Sequence, residues 1–516
     1  MSAQTADFDA IIIGGGHNGL VCAGYLAKAG LRVVVLERRS FVGGATATEE
    51  LFPGFRVSSC SYLCHILQAK IIDDFRLRDY GFEVYHLDPG RMQPYPDGRA
   101  LLTWDSLEKT QASIARFSQR DADAFPRWME FWQRAASLYY PYFLKSPPSM
   151  SQVMADAESR GEGEFLRRLL KVSMTELVSE YFEDEAIRGA FINAQDVGNP
   201  SAAGSAWCYA HIRSDLFSRP EDVGIVKGGM GSIANCLAAS VQDLGVDIQV
   251  DSHVAEIVVR QGQVAGIRLV DGSEISSRLV ISNADPKTTF LQLTDRSQLP
   301  DGFTDQVGGL KTNAGYLKFH MALSRLPDFS HYFHDDYDPR YLAYMKICPS
   351  VEYFAKSWRD AEQGRPPEQP VMEVQIPTVY DPTLTQSGQH VLSVWGLYAP
   401  VKLAQGTWDE RRSEVAENLI EVLCQYATDL RDCIVDYSLL TPVDIERRVG
   451  MTDGNIRHLD MIPNQLLSER PLNGWSDYGT PIDGLYLCGA GTHPGGEVTG
   501  APGHNAAEVI LKSIPS

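Results

Sequence analysis

Two short apolar runs flank a helical pattern at the start of the chain. Asp9–Ile13 is apolar after its first residue, as in a parallel strand buried on both faces. Leu20–Ala29 carries a helical pattern stopped by Gly30, and Arg32–Leu36 is a second apolar strand. Farther on, Gln68–Tyr80 predicts a helix ending at Gly81, and Met92–Trp104 a hairpin turning at Asp97–Gly98. From Asp105 to Ala194 the spacing is helical and rich in aromatic residues, among them Trp128, Phe131, Trp132, Tyr139, Tyr142 and Phe143. That cluster reads either as the core of a helical subdomain or as an apolar substrate tunnel or membrane-facing lid.

An alternating strand and helix texture then returns. The glycine turn Gly228–Gly231 precedes a helix over Ser232–Leu244 and a strand over Val246–Val250. His253–Arg260 and Val264–Leu269 pair across Gln261–Gly262–Gln263, and Leu279–Ala284 is a further apolar strand. Asn313–Leu323, Val371–Ile376 and His390–Ala399 read as strands of an antiparallel sheet, with a long amphipathic helix over Trp408–Ala427. The chain closes on a strand, Leu485–Cys488, a glycine-dense loop, and a helix from about Pro502 to Leu511.

The first strand–turn–helix carries chemistry. Gly14, Gly16 and Gly19 form GxGxxG between strand and helix, and Glu37 ends the second strand. Gly14 allows the tight turn, Gly16 admits a pyrophosphate to the backbone, and Gly19 lets helix pack on strand. The helix N-terminus offers unpaired N–H groups and a positive dipole. Glu37 suits a ribose hydroxyl and repels a 2′-phosphate. Arg38 or Arg39, the pair Gly43–Gly44 and Thr46 follow at once. A second glycine turn there suits FAD, which extends past the first turn. Gly228–Gly231 follows no clear apolar strand and is not read as a second nucleotide site, so a nicotinamide cofactor has no evident seat. The C-terminal loop before Pro502 again aims a helix N-terminus at something negative. The flavin ring fits best, because reduced flavin carries negative charge at its pyrimidine edge.

Composition narrows the partners. The 516 residues carry 46 basic and 66 acidic side chains, a net charge of −20. That balance excludes nucleic acid and leaves membrane contact to an apolar patch. The nine cysteines have no CxxC spacing, which predicts free thiols, a reducing compartment and no structural metal. The polar, acidic start is unlike a targeting peptide, and no run of about 20 apolar residues occurs, so a cytoplasmic protein is expected.

The motifs together resemble a known family. Glu37, Arg38/Arg39 and Gly43–Gly44 are similar to the second glycine motif of the FAD-dependent amine oxidase superfamily. KGGMGS (227–232), ISNADP (281–286) and LYLCGAGTHPGG (485–496) resemble its phytoene desaturase-like branch of carotenoid desaturases and isomerases. Ala45 departs from the pattern, since many members place arginine after the double glycine. The resemblance implies that Val254 brackets the adenine through its backbone. It places Gly489 and Gly496 in the third FAD motif and implies that Val498 donates its N–H to the flavin. Glu497 stands where a small residue is common; unless it points to solvent, it would oppose an anionic reduced flavin.

The expected fold class is α/β: a glutathione reductase-like, discontinuous Rossmann-type FAD domain, an inserted substrate domain of antiparallel sheet with helices, and a helical subdomain. The segments are 1–90, 221–300 and 456–516 for FAD, 91–220 for substrate and helical lid, and 301–455 for the rest of the substrate domain. The leading expectation is hydride abstraction from an apolar or amphipathic substrate to form a C=C bond, with oxygen, a quinone or another acceptor taking the electrons. Amine or amino-acid oxidation, redox-neutral isomerisation and a non-catalytic assembly role are the alternatives. Tyr62, His65 and His504 are the weak candidates for catalysis, each with a structural role as the plainer reading.

Overall fold

The computed structural model describes residues 6–333 and 336–514. The first five residues, on which the targeting-peptide reading partly rests, lie outside the described residues.

The apolar runs seen in the sequence assemble into one parallel sheet of five strands. Its order is Leu485–Leu487, Val280–Ser282, Ala10–Ile13, Val33–Leu36, Asp247–Gln249. Strands from the two ends of the chain thus share a sheet, with Val280–Ser282 between them. Ala10–Ile13 and Val33–Leu36 are buried throughout, which is why they show no alternation. The first helix, His17–Lys28, packs on this sheet beside Gly231–Asp243 and the last helix, Ala501–Ser513.

A second sheet has seven strands, in the order Ile434–Leu440, Gly315–Leu323, His390–Ala399, Val371–Gln375, Met345–Ile347, Arg91–Pro94, Ala100–Thr103. Its pairs are antiparallel except Met345–Ile347 with Arg91–Pro94. The expected hairpin at Gly98 is present, with Gly98 at φ 82°. Ile434–Leu440 and Met345–Ile347 escaped the sequence reading; the first has three consecutive exposed positions and the second is only three residues long.

Helices between Leu107 and Ile212 cover one end of this sheet. Phe131, Leu138, Tyr139 and Phe143 lie in their shared core. The helix expected over Gln68–Tyr80 is broken. Ala69–Asp74 is helical, Arg76 turns left-handed at φ 47°, and Leu77–Tyr80 forms a separate 3-10 turn. Tertiary packing outweighs helix continuity there: Phe75 and Leu77 are both buried, with Phe75 against Gly24 of the first helix. Among the described residues, no helix is long and apolar enough to cross a membrane.

Candidate cofactor and substrate site

Each glycine of the first turn has a different steric duty. Gly14 takes φ 98° and donates its N–H to the Leu36 carbonyl at 2.8 Å. A Cβ on Gly19 would lie 2.3 Å from the Gly14 carbonyl oxygen, so Gly19 serves packing and stands off the cavity wall. A Cβ on Gly16 would meet the Asn283 amide at 2.9 Å. Gly43 and Gly44 both take positive φ, and Gly43 N–H binds the Gly15 carbonyl at 2.8 Å, docking the second glycine turn on the first. Thr46 is buried and closes that turn through its hydroxyl onto the Gly43 carbonyl.

Glu37 is buried at the end of its strand. Its carboxylate accepts the N–H of Gly15 at 2.9 Å and that of Arg39 at 2.9 Å. The two arginines stand differently. Arg38 lines the cavity, whereas Arg39 is held by both oxygens of Glu49 at 3.0 Å and stacks 4.1 Å from the Phe41 ring centre.

Gly14, Gly16, Glu37, Arg38, Gly43, Gly44 and Thr46 line a cavity of about 310 Å³, together with Val254, Asn283, Asp285, Gly450, Ala490, Glu497 and Val498. Four buried polar atoms on its lining residues have no protein partner: His17 Nε2, Asn18 Oδ1, Ser61 Oγ and His458 Nδ1. Such atoms are costly unless a bound group completes them. A long polar cofactor lying across the two glycine turns supplies that completion, so the residues present fit FAD. His17 and His458 stay neutral, since burial pulls each down to about 4.

The C-terminal loop closes this cavity in an unexpected way. A Cβ on Gly489 would lie 2.8 Å from the Asn283 carbonyl oxygen, and one on Gly491 2.5 Å from Pro286. The same test on Gly496 meets Arg457 at 2.4 Å, and on Gly503 the Asn18 carbonyl oxygen at 2.1 Å. These glycines let the loop and last helix seat against protein. Gly489 and Gly496 are therefore absent from the cavity wall, which Ala490, Glu497 and Val498 provide. Among the described residues nothing accepts from the Val498 N–H. Arg470, fully buried, pins the arrangement by donating to the carbonyls of Arg457, Leu459 and Ala490.

Glu497 does not point to solvent. It is paired with the buried Arg457 at 2.5 Å, and Arg457 also holds Asp196 at 2.8 Å. Burial alone would raise the Glu497 carboxyl; the guanidinium outweighs it and holds the group below its ordinary value.

A second cavity, of about 390 Å³, shares Tyr62, Leu63, His65, Trp395 and Arg457 with the first. Phe125, Trp128, Trp132, Phe191 and Tyr209 form much of its wall. The aromatic cluster of the helical segment thus serves twice, part as core and part as cavity lining. The Tyr62 hydroxyl donates to Glu373 Oε2 at 3.0 Å, and Tyr344 donates to the same oxygen. Tyr62 and Trp395 stand with ring centres 6.2 Å apart.

Of the candidate side chains, Tyr62 and His65 lie where the cavities meet. His504 lines neither cavity; its ring packs edge-on to Tyr25 and its Nδ1 meets Asn505 Oδ1 at 2.8 Å. Glu373, Trp395 and Arg457 escaped the sequence reading, because each comes from a different element with no local motif. Asn283 and Asp285 sit inside ISNADP, a segment the sequence already marked. The Gly228–Gly231 turn has its amides taken by protein: Gly228 by Asp381 at 2.6 Å, Met230 by Ser58 at 3.0 Å and Gly231 by Thr48 at 2.9 Å.

A parallel sheet assembled from both chain ends, two docked glycine turns and a cofactor cavity opening onto an aromatic one define a flavin-dependent oxidoreductase. The chain belongs to the flavin containing amine oxidoreductase family, which it matches over residues 19–393. It is 33% identical to pyridine nucleotide-disulfide oxidoreductase domain-containing protein 2 of Rattus norvegicus, over 98% of this chain and 94% of that protein. It is 26% identical to a lycopene-forming phytoene desaturase of Pseudescherichia vulneris, over 95% and 96%. Its fold matches cyclohexylamine oxidase from Brevibacterium oxydans with a TM-score of 0.59 at 15% identity, over 98% of this chain and 99% of that one. The protein is accordingly an FAD-dependent enzyme of the phytoene desaturase-like branch.

Proposed function

We propose that this enzyme removes a hydride and a proton from adjacent carbons of a largely apolar substrate, forming a C=C bond. The observation that carries this reading is the aromatic cavity that meets the cofactor cavity at Tyr62 and Trp395. Bound FAD supplies the two-electron acceptor, and oxygen, a quinone or another acceptor takes the electrons onward. Gly14, Gly16, Glu37, Arg38, Gly43, Gly44, Thr46, Val254 and Val498 are the residues that would hold it.

The chain's own work is positioning, exclusion of water and proton handling. The aromatic walls keep the substrate carbon dry. The released proton has an acceptor in Glu373, whose carboxylate already binds the Tyr62 hydroxyl. Tyr62 and Glu373 thus form a short relay at the junction of the two cavities.

Amine oxidation is the second reading, favoured by the Tyr62–Trp395 ring pair beside the Glu373 carboxylate, which suits an ammonium. Lys318 weakens it: its buried Nζ stands 5.7 Å from both ring centres, where it would repel such a substrate.

Anaerobic mixing of the holoenzyme with candidate substrates separates the readings. Loss of flavin absorbance near about 450 nm with an apolar or amphipathic alkane-bearing compound supports C=C formation. Bleaching by amines alone moves the assignment to C=N formation, and product without net bleaching to isomerisation. No bleaching and no product with any class rejects the proposal.

A further inference from the structure

The wall of the second cavity carries more cations than carboxylates. Its cations are Arg91, Arg213, Lys346 and Arg457, and its carboxylates are Asp105, Asp215 and Glu373. Most are accounted for. Arg457 is held by Asp196 and Glu497, Asp105 by His86 at 2.6 Å, and Arg213 has Asp215 at 3.4 Å. Glu373 is bound by two tyrosine hydroxyls.

Arg91 and Lys346 remain. Neither makes an ion pair among the described residues, although Glu373 is the cross-strand neighbour of Lys346. Both donate to the same backbone oxygen, that of Ala190: Arg91 Nη2 at 3.0 Å and Lys346 Nζ at 3.2 Å. Lys346 spends its other donors on the carbonyls of Gly189 and Ile192, which uses its protons but leaves its charge. Among the described residues Arg91 donates to Ala190 alone, and it lines the cavity. Two cations converging on one carbonyl in a low-dielectric wall repel each other, and an anion placed between them relieves the cost.

Beside Arg91 the wall is apolar. Phe191 stands under its guanidinium with 5.8 Å to the ring centre, and Phe125 and Trp128 pack on Phe191. A guanidinium fork ringed by aromatic hydrocarbon suits a carboxylate carried on an apolar chain.

We infer that the second cavity binds an amphipathic carboxylate, its anionic head on Arg91 with the charge of Lys346 behind it, and its hydrocarbon chain along Phe125, Trp128 and Phe191. This deepens the proposed function and rests on its assignment of the second cavity to substrate. The substrate class is then a fatty-acid-like molecule and not a neutral hydrocarbon.

The test titrates the holoenzyme with dodecanoate and with dodecanol, equal in chain and different in charge. Tryptophan fluorescence reports binding, because Trp104, Trp128, Trp132 and Trp395 line the cavity. Dodecanoate is expected to bind about tenfold more tightly or better, the scale of a charge-assisted hydrogen bond. Arg91→Gln is expected to erase that preference while leaving dodecanol affinity unchanged. Equal affinities in the unsubstituted enzyme overturn the inference, and this comparison needs no variant to fold. A preference untouched by Arg91→Gln overturns it as well. Flavin absorbance in the same anaerobic samples keeps the two proposals apart. Arg91-dependent preference for the acid supports the subsite even where no compound bleaches the flavin, a result that rejects desaturation. Bleaching by neutral hydrocarbons with no preference for the acid supports desaturation and rejects the subsite.

Discussion

Arg457 grips Glu497 through two nitrogens, Nε at 2.8 Å and Nη2 at 2.5 Å, beneath the loop that closes the cofactor cavity. The same guanidinium binds the fully buried Asp196. One cation thus ties the C-terminal loop to the helical segment that carries Asp196.

Arg457→Met strands two buried carboxylates. The expected loss is about 3–5 kcal/mol of stability, the cost of removing one partner from a buried pair. Denaturant unfolding of the holoenzyme measures it. The triple change Arg457→Met, Asp196→Asn, Glu497→Gln is expected to recover most of the loss, since no charge is left unpaired. A single change that costs less than about 1 kcal/mol contradicts the account.

Glu37→Ala removes the acceptor for two backbone N–H groups at the first glycine turn and a candidate ribose contact. FAD affinity is expected to fall by roughly 10- to 150-fold, the worth of hydrogen bonds to a charged group. Quenching of flavin fluorescence on titrating the apoprotein gives the value. Unchanged affinity would remove Glu37 from the cofactor site.

Gly503→Ala places a methyl 2.1 Å from the Asn18 carbonyl oxygen, where the last helix crosses the first. Overpacking there is expected to cost about 1–3 kcal/mol and to loosen FAD, because His17 and Asn18 at the start of the first helix line the cofactor cavity. Thermal unfolding and flavin content after gel filtration report the two effects. Deleting the chain from Gly489 onward is expected to abolish flavin binding outright, since it removes Ala490, Glu497 and Val498 from the wall.

Acid is expected to destabilise the fold early. Burial pulls His17, His458 and His493 down to about 4 and His211 to about 3, from 6.5 in an open chain. Between those limits the unfolded chain binds protons that the folded chain refuses. Stability therefore falls as pH drops from 6.5 toward 4, by at most about 1.4 kcal/mol per histidine per pH unit. Asp460 works the other way. Burial raises it to about 6, so its own contribution improves as pH falls through 6. Four groups outweigh one, and the melting temperature of the holoenzyme should decline between about pH 7 and about pH 5. His17→Asn should flatten that decline, and a flat profile in the unsubstituted protein would contradict the burial argument.

The sequence by itself determined the parts whose chemistry is local. Gly14, Gly16, Gly19 and Glu37 stand at the fixed spacing that a dinucleotide-binding strand–helix–strand unit requires, where a tight turn, a close backbone approach, a helix contact and a strand-end acid follow one another. Apolar runs such as Ala10–Ile13 announced buried strands, and the C-terminal glycine loop announced a helix N-terminus with work to do. Only the tertiary structure decided the rest. It broke the helix at Arg76 because Phe75 and Leu77 must both reach the core. It turned Gly489 and Gly496 toward Asn283 and Arg457, where backbone packs on backbone and side chain. It neutralised Glu497 with an arginine forty residues earlier in the chain. It joined Tyr62 to Glu373, 311 residues apart, and set Arg91 beside Lys346. Contacts of that kind depend on which strands pair and which cavities meet, and no local spacing along the chain records them.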